Sequence, residues 1–129
     1  MNRGVDESEI RASVQDPEHI LRRLAIGDDA YIDGIVSRAG KICSGLDPKT
    51  QSLVRLGALI AVDAAPPSYL DAVDSARDAG TDDLELVGCL VAVLPALGAA
   101  RVISAAPKLG LALGYDVGQA LEDSGVLLG

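Results

Sequence analysis

Apolar side chains recur every three or four residues along most of the chain, which is the spacing of a helix with one buried face. The clearest run lies at i, i+3, i+4, i+7 and i+11 and is formed by Ile32, Ile35, Val36, Ala39 and Cys43. We expect this helix to end near Gly45, and an earlier one to start at Asp16-Pro17 and stop near Gly27. No strand-like alternation of useful length occurs, so the pattern predicts an all-α fold of about six or seven helices.

The second half of the chain is apolar on more than one side of its helices. From Leu53 to Val62 only Arg55 interrupts the apolar residues, so we expect a helix that is buried all round. The next long helix carries two opposite apolar stripes, one of Leu84, Val87, Val91 and Leu94 and the other of Leu86, Leu90, Val93 and Leu97. A domain of 129 residues cannot bury so much apolar surface by itself, so the pattern predicts homo-oligomerisation.

Residues with special backbone preferences predict where the other helices begin and end. Starts are indicated by Asp47-Pro48, by Thr81 as an N-cap, and by Asp116 with Gln119 as a capping box. Stops, kinks or breaks are indicated by Gly80, Pro95, Pro107 and Gly114. The helix that ends at Gly80 is predicted to bury a stripe of Leu70, Val73 and Ala76.

The length suits one structural domain, which we divide into an N-terminal arm with helices, residues 1–45, and a helical core, residues 46–129. The chain has no Phe and no Trp, so its core is expected to be aliphatic. The longest apolar stretch contains Pro95, stops at Arg101 and falls short of the roughly 20 residues of a membrane span. No signal peptide is visible at the N-terminus, so we expect a soluble, cytoplasmic protein.

The net charge is −8 at pH 7, which argues against binding to nucleic acid and to anionic membranes. Acidity of this kind keeps an apolar oligomer soluble. The two cysteines, Cys43 and Cys89, lie far apart on apolar stripes, and we interpret them as buried structural thiols. His19 is the single histidine and is expected at the surface. No metal-ligand spacing and no phosphate-binding loop is present, so no metal or cofactor is expected.

Two segments of the core, LDPKTQSLVRLGALIAV and YLDAVDSARDAGTDDLELVGCLVAVLPALGAARVISA, carry a recognisable order of elements. Over about residues 46–116 the chain resembles the carboxymuconolactone decarboxylase family, which includes the alkyl hydroperoxidase D-like proteins. The resemblance implies an all-α fold in which a helical hairpin is shared between subunits, giving a trimer or a hexamer.

Peroxidase-like members of that family use a Cys-x-x-Cys-x-x-x-His arrangement, with a Glu on the preceding helix. One thiolate attacks, the second resolves the product as a disulfide, and His and Glu move protons. Counting back from Gly80, these four positions fall on Ala65, Ser68, Ala72 and Leu53. The resemblance therefore implies a member without thiol peroxidase chemistry.

The decarboxylase branch would need a proton-handling group and cationic anchors for carboxylates. The candidates in the corresponding region are Arg55, Ser68, Tyr69, Asp71, Glu85 and Arg101. Ser68 and Tyr69 are expected at the mouth of a residual pocket for a small organic ligand. Structural alternatives are an ion pair of Arg55 with an Asp or Glu of a neighbour or of another subunit, a structural role for Arg101, and a helix cap for Ser68.

The sequence thus predicts a carboxymuconolactone decarboxylase-like homo-oligomer without thiol peroxidase chemistry and with a residual small-molecule pocket. One alternative is an active thiol-independent enzyme on a lactone or carboxylate. The other alternative is a structural or interaction module.

Overall fold

A computed structural model of the chain describes residues 16–37 and 45–115. These residues form six helices and no strand: α1 Pro17–Ala25, α2 Asp29–Ser37, α3 Pro48–Ala61, α4 Pro66–Asp78, α5 Asp83–Leu97 and α6 Ala99–Leu113. The predicted all-α class is confirmed for this part of the chain. Expectations for the N-terminal arm, for Ala39 and Cys43, and for the capping box of Asp116 and Gln119 lie outside the described residues. No helix among the described residues is long and apolar enough to cross a membrane.

Contacts divide the chain into two units, residues 1–47 and residues 48–129. In the first unit, the Asp16 carboxylate caps α1, and Gly27 follows that helix with a φ of 67°, as the sequence predicts. The carboxylate of Asp28 accepts the backbone N–H of Tyr31 at 3.1 Å and so caps α2. The ring of half-buried His19 meets that of Tyr31 edge to face, with 6.2 Å between centroids.

The second unit contains a four-helix bundle. Both α3 and α6 pack against α4 and against α5, so α4 and α5 lie across the bundle from one another. The core between the helices is aliphatic apart from one tyrosine and one cysteine, and consists of Leu56, Ile60, Tyr69, Val73, Ala76, Leu86, Cys89, Leu90, Ala105, Leu109 and Leu113.

One predicted helix start is wrong. Asp82, and not Thr81, caps α5, because Thr81 is buried and its hydroxyl shares a 3.0 Å hydrogen bond with that of Ser52. Pro95 and Pro107 each lie inside a helix, on its exposed side, and the chain continues as helix beyond both. The break expected near Pro95 falls three residues later, at Gly98, which adopts a φ of 85° that glycine tolerates at little cost.

The buried faces also differ from the prediction. Helix α3 buries one side only and leaves Val54, Arg55 and Ala58 exposed. Helix α4 turns Tyr69 into the core with Val73 and Ala76, so Leu70 faces outward instead. Of the two apolar stripes on α5, the one beginning at Leu86 faces the bundle and the one beginning at Leu84 faces away from it.

Candidate functional site

The turn between α3 and α4, residues 62–65, holds the most unusual backbone in the described residues. Asp63 adopts a φ of 54°, in the left-handed region that Asp tolerates better than most residues. Two prolines, Pro66 and Pro67, then open α4, because a fixed φ and a missing N–H suit the first helical turn. Ala65 stands at the N-cap and supplies no side-chain cap.

The Asp63 carboxylate is held by three side chains of α6. Its Oδ1 accepts hydrogen bonds from Ser104 Oγ at 2.7 Å and from Lys108 Nζ at 3.0 Å. Its Oδ2 lies 3.5 Å from a guanidinium nitrogen of Arg101. The bond from Ser104, then the bond from Lys108, lowers the pKa of Asp63. We call these four residues the Asp63 cluster.

Lys108 also binds the turn directly, because its Nζ donates to the carbonyl of Ala64 at 2.9 Å. The three partners on α6 are spaced i, i+3 and i+7, which places them on one face of that helix. Two cations meet one anion here, on a chain whose net charge is −8. The cluster therefore fixes the turn against α6 and keeps an excess of one positive charge.

Tyr69 is fully buried in the bundle core, and not at the mouth of a pocket as expected. Its hydroxyl has no hydrogen-bond partner among the described residues. Burial, and secondarily the negative charge of Asp63, raises the pKa of Tyr69. The hydroxyl is therefore a neutral group inside an apolar core.

Within the described residues, Ser68 is not a helix cap and Arg55 has no ion-pair partner. Ser68 is the third residue of α4 and not its cap, and its backbone N–H bonds the carbonyl of Ala65 at 3.0 Å. Arg55 lies exposed on α3, with no ion pair to any residue that the structure describes. An exposed guanidinium is hydrated and needs no buried counter-ion.

Glu85 belongs to the N-terminus of α5. Its carboxylate accepts the backbone N–H of Asp82 at 3.0 Å, and the Asp82 carboxylate accepts the N–H of Glu85 at 2.8 Å. Glu85 also pairs with Lys49 at 3.2 Å. The bond from the Asp82 backbone, then the bond from Lys49, lowers the pKa of Glu85. This setting suits a carboxylate that remains ionised and stabilises a helix start.

The predicted site residues do not converge on one point. Glu85 pairs with Lys49 at the start of α3, whereas Arg101 meets Asp63 just after the end of α3. The 14 residues of α3, at a rise of about 1.5 Å each, separate these two points by roughly 20 Å. A single small molecule cannot contact both groups. Asp71, another candidate, lies exposed on α4.

Cys89 is buried against α3, where its thiol donates to the carbonyl of Leu53 at 3.4 Å. Burial raises the pKa of Cys89, which disfavours the thiolate that nucleophilic chemistry requires. Cys43 lies outside the described residues. Within 16–37 and 45–115, no group of three or more His, Cys, Asp or Glu side chains is placed to hold a metal ion.

Sequence reasoning missed Asp63, Ser104 and Lys108. A signal was present, because polar residues at i, i+3 and i+7 mark one polar line on an otherwise apolar helix. The sequence does not show that this line faces Asp63, which lies 45 residues before Lys108.

No protein-family model matches the chain, and neither a curated protein nor a solved structure matches it. The resemblance to the carboxymuconolactone decarboxylase family stays a prediction carried by residues 46–116. The structure adds an all-α architecture for the described residues and the positions of the candidate side chains.

Proposed function

We propose that this chain is a carboxymuconolactone decarboxylase-like, homo-oligomeric helical protein without thiol peroxidase chemistry, whose helical core serves assembly. The observation that carries the proposal is the presence of large exposed apolar side chains on all four helices of the bundle. They are Val54 on α3, Leu70 on α4, Leu84, Val87, Val91 and Leu94 on α5, and Ile103 and Leu111 on α6. Extended apolar surface on a soluble chain marks contact with another molecule.

The absence of thiol peroxidase chemistry is supported by the residues around the α3–α4 turn. In the family register, Ala65, Ser68 and Ala72 occupy the positions of the two thiols and the histidine. Cys89 is buried in the core and its pKa is raised, so it does not supply a substitute thiolate.

The large distance between the candidate side chains supports an assembly role and argues against an active thiol-independent enzyme. Arg101 and Lys108 are the cations nearest the turn, and Asp63 already engages both. A substrate carboxylate would have to displace that residue. Tyr69 lies inside the core. Glu85, on α5, pairs with Lys49 at the start of α3, which is the end of α3 opposite to the turn.

Light scattering on the purified chain tests self-association. The expected mass is a multiple of the 13.2 kDa chain mass at micromolar protein concentration. A mass that stays at 13.2 kDa over the whole accessible concentration range would contradict the proposal.

A peroxide-consumption assay with a dithiol reductant tests the missing redox chemistry. Consumption is expected at the rate of the buffer, for the wild type and for Cys89→Ser alike. Turnover above that rate that is lost in Cys89→Ser would show that this buried thiol reacts.

A further inference from the structure

One solvent-facing stripe on α5 has the spacing of a helix-pairing seam. Leu84, Val87, Val91 and Leu94 are 80%, 40%, 68% and 40% exposed. Their spacing of three, four and three residues is the a/d pattern by which one helix packs along another. No charged residue occurs from Leu86 to Ala100, so the stripe has no charge along most of its length. We call these four residues the outer stripe.

We infer that the outer stripe pairs antiparallel with the outer stripe of a second copy of this chain, about a two-fold axis near residue 89. The inference rests on the proposed self-association and names its surface. The three–four–three spacing is the same from either end of the helix. A second helix that runs in the opposite direction therefore has its apolar residues at the same heights along the seam. Leu84 then lies opposite Leu94 of the second copy, and Val87 lies opposite Val91 of the second copy.

Charge selects the antiparallel direction. Asp82, Asp83 and Glu85 cluster at the start of α5, whereas no acidic residue occurs along the rest of that helix, from Leu86 to Leu97. A parallel pair would bring the two acidic clusters together, which is unfavourable between two chains of charge −8. An antiparallel pair keeps the two acidic clusters apart at opposite ends of the seam, and it places the positive dipole end of each helix beside the negative dipole end of the other.

A small residue beside the stripe allows a close approach. Gly88 is exposed on the flank of the stripe, one residue after Val87. A Cβ built on Gly88 meets no atom within 4 Å, so the surface around it is open. Two helices can therefore approach near the centre of the seam without a clash.

A two-fold contact also limits the number of subunits. An isologous interface pairs subunits, so the assembly contains an even number of them. Of the two states implied by the family resemblance, this pairing fits the hexamer and not the isolated trimer. A dimer fits the pairing as well.

Cross-linking of the full chain tests the seam. Gly88→Cys places a thiol beside the two-fold axis, and mild oxidation is expected to shift the 13.2 kDa band to that of a dimer on a non-reducing gel. Ser75→Cys is the matched control, since Ser75 is an exposed residue on α4, across the bundle from α5. The control and the wild type are expected to remain uncross-linked.

The direction of pairing is tested with Leu84→Cys and Leu94→Cys. In the antiparallel arrangement each variant alone stays uncross-linked, and co-expression of the two gives a cross-linked dimer. A parallel arrangement would cross-link each variant by itself and would overturn the inference.

The mass of the wild type separates the two proposals. An oligomer in which Gly88→Cys cross-links no more than Ser75→Cys would overturn the seam and leave self-association standing. A monomer would overturn both. Packing of another part of the same chain on the outer stripe would give a monomer with no intermolecular cross-link.

Discussion

At the scale of single residues, Asp63 connects the α3–α4 turn to α6 through Ser104, Lys108 and Arg101. Its pKa is lowered in the folded chain, so the ionised carboxylate stabilises the fold above its unfolded pKa of about 4. That contribution is lost as the pH falls through the lower folded pKa. The turn is therefore expected to loosen in acid.

Asp63→Asn should lower the free energy of unfolding at pH 7, because it removes the charge that Lys108 and Arg101 face and keeps the backbone tolerance for a positive φ. Its stability should also fall less steeply below about pH 4 than that of the wild type. Urea unfolding at pH 7 and at pH 3 measures both effects. Asp74→Asn, at an exposed position on α4, is the control and should be close to neutral. Equal acid sensitivity of Asp63→Asn and the wild type would contradict this role.

Tyr69→Phe should leave the free energy of unfolding unchanged or raise it, because the lost hydroxyl is buried and without a partner among the described residues. Tyr69→Ala should lower it by about 3–5 kcal/mol through the cavity it leaves. Denaturant unfolding of both variants makes the comparison. A loss above about 1 kcal/mol in Tyr69→Phe would show that the hydroxyl is hydrogen-bonded in solution.

At the scale of helices, the start of α5 depends on the reciprocal bonds between Asp82 and Glu85. Asp82→Ala removes one of these bonds and the favourable charge at the helix N-terminus, so it should cost about 1 kcal/mol of stability. Asp71→Ala, on the exposed side of α4, is the control and should change stability by less than about 0.5 kcal/mol. Thermal unfolding followed by circular dichroism measures the difference. An equal loss of stability in both variants would indicate that the capping box does not stabilise the protein.

The helices also show which boundaries a sequence can predict. Asp16, Gly80 and Gly114 act locally, through a carboxylate beside an N–H or through a positive φ, and each lies where the sequence predicts. Pro95 marks its break only to within three residues, because its position on the exposed side lets water reach the carbonyl that loses its helical donor, and the helix continues to Leu97. Thr81 misled the prediction because its hydroxyl bonds Ser52, a partner 29 residues away.

At the scale of the whole molecule, self-association couples stability to protein concentration. The midpoint of thermal unfolding should rise as the protein concentration rises, because dilution favours the separated chains. The expected shift is a few degrees per tenfold change in concentration, measured by calorimetry at fixed pH and salt. Val91→Glu should reduce the dependence by placing a charge in the outer stripe, whereas Ser75→Glu, at an exposed polar position on α4, should retain it. A midpoint that does not vary with concentration in the wild type would argue for a monomer.

The sequence by itself determined the helical class, most helix ends and the presence of two apolar stripes on α5, because these depend on neighbours within a few residues. Only the tertiary structure decided that the stripe of Leu86 is buried while that of Leu84 is exposed, and that Tyr69 rather than Leu70 enters the core. It also decided that Asp63 meets Lys108, 45 residues further along. Which face of a helix is buried, and which distant charge it meets, depends on the helices packed against it. The spacing of residues along the sequence does not determine how the helices are packed.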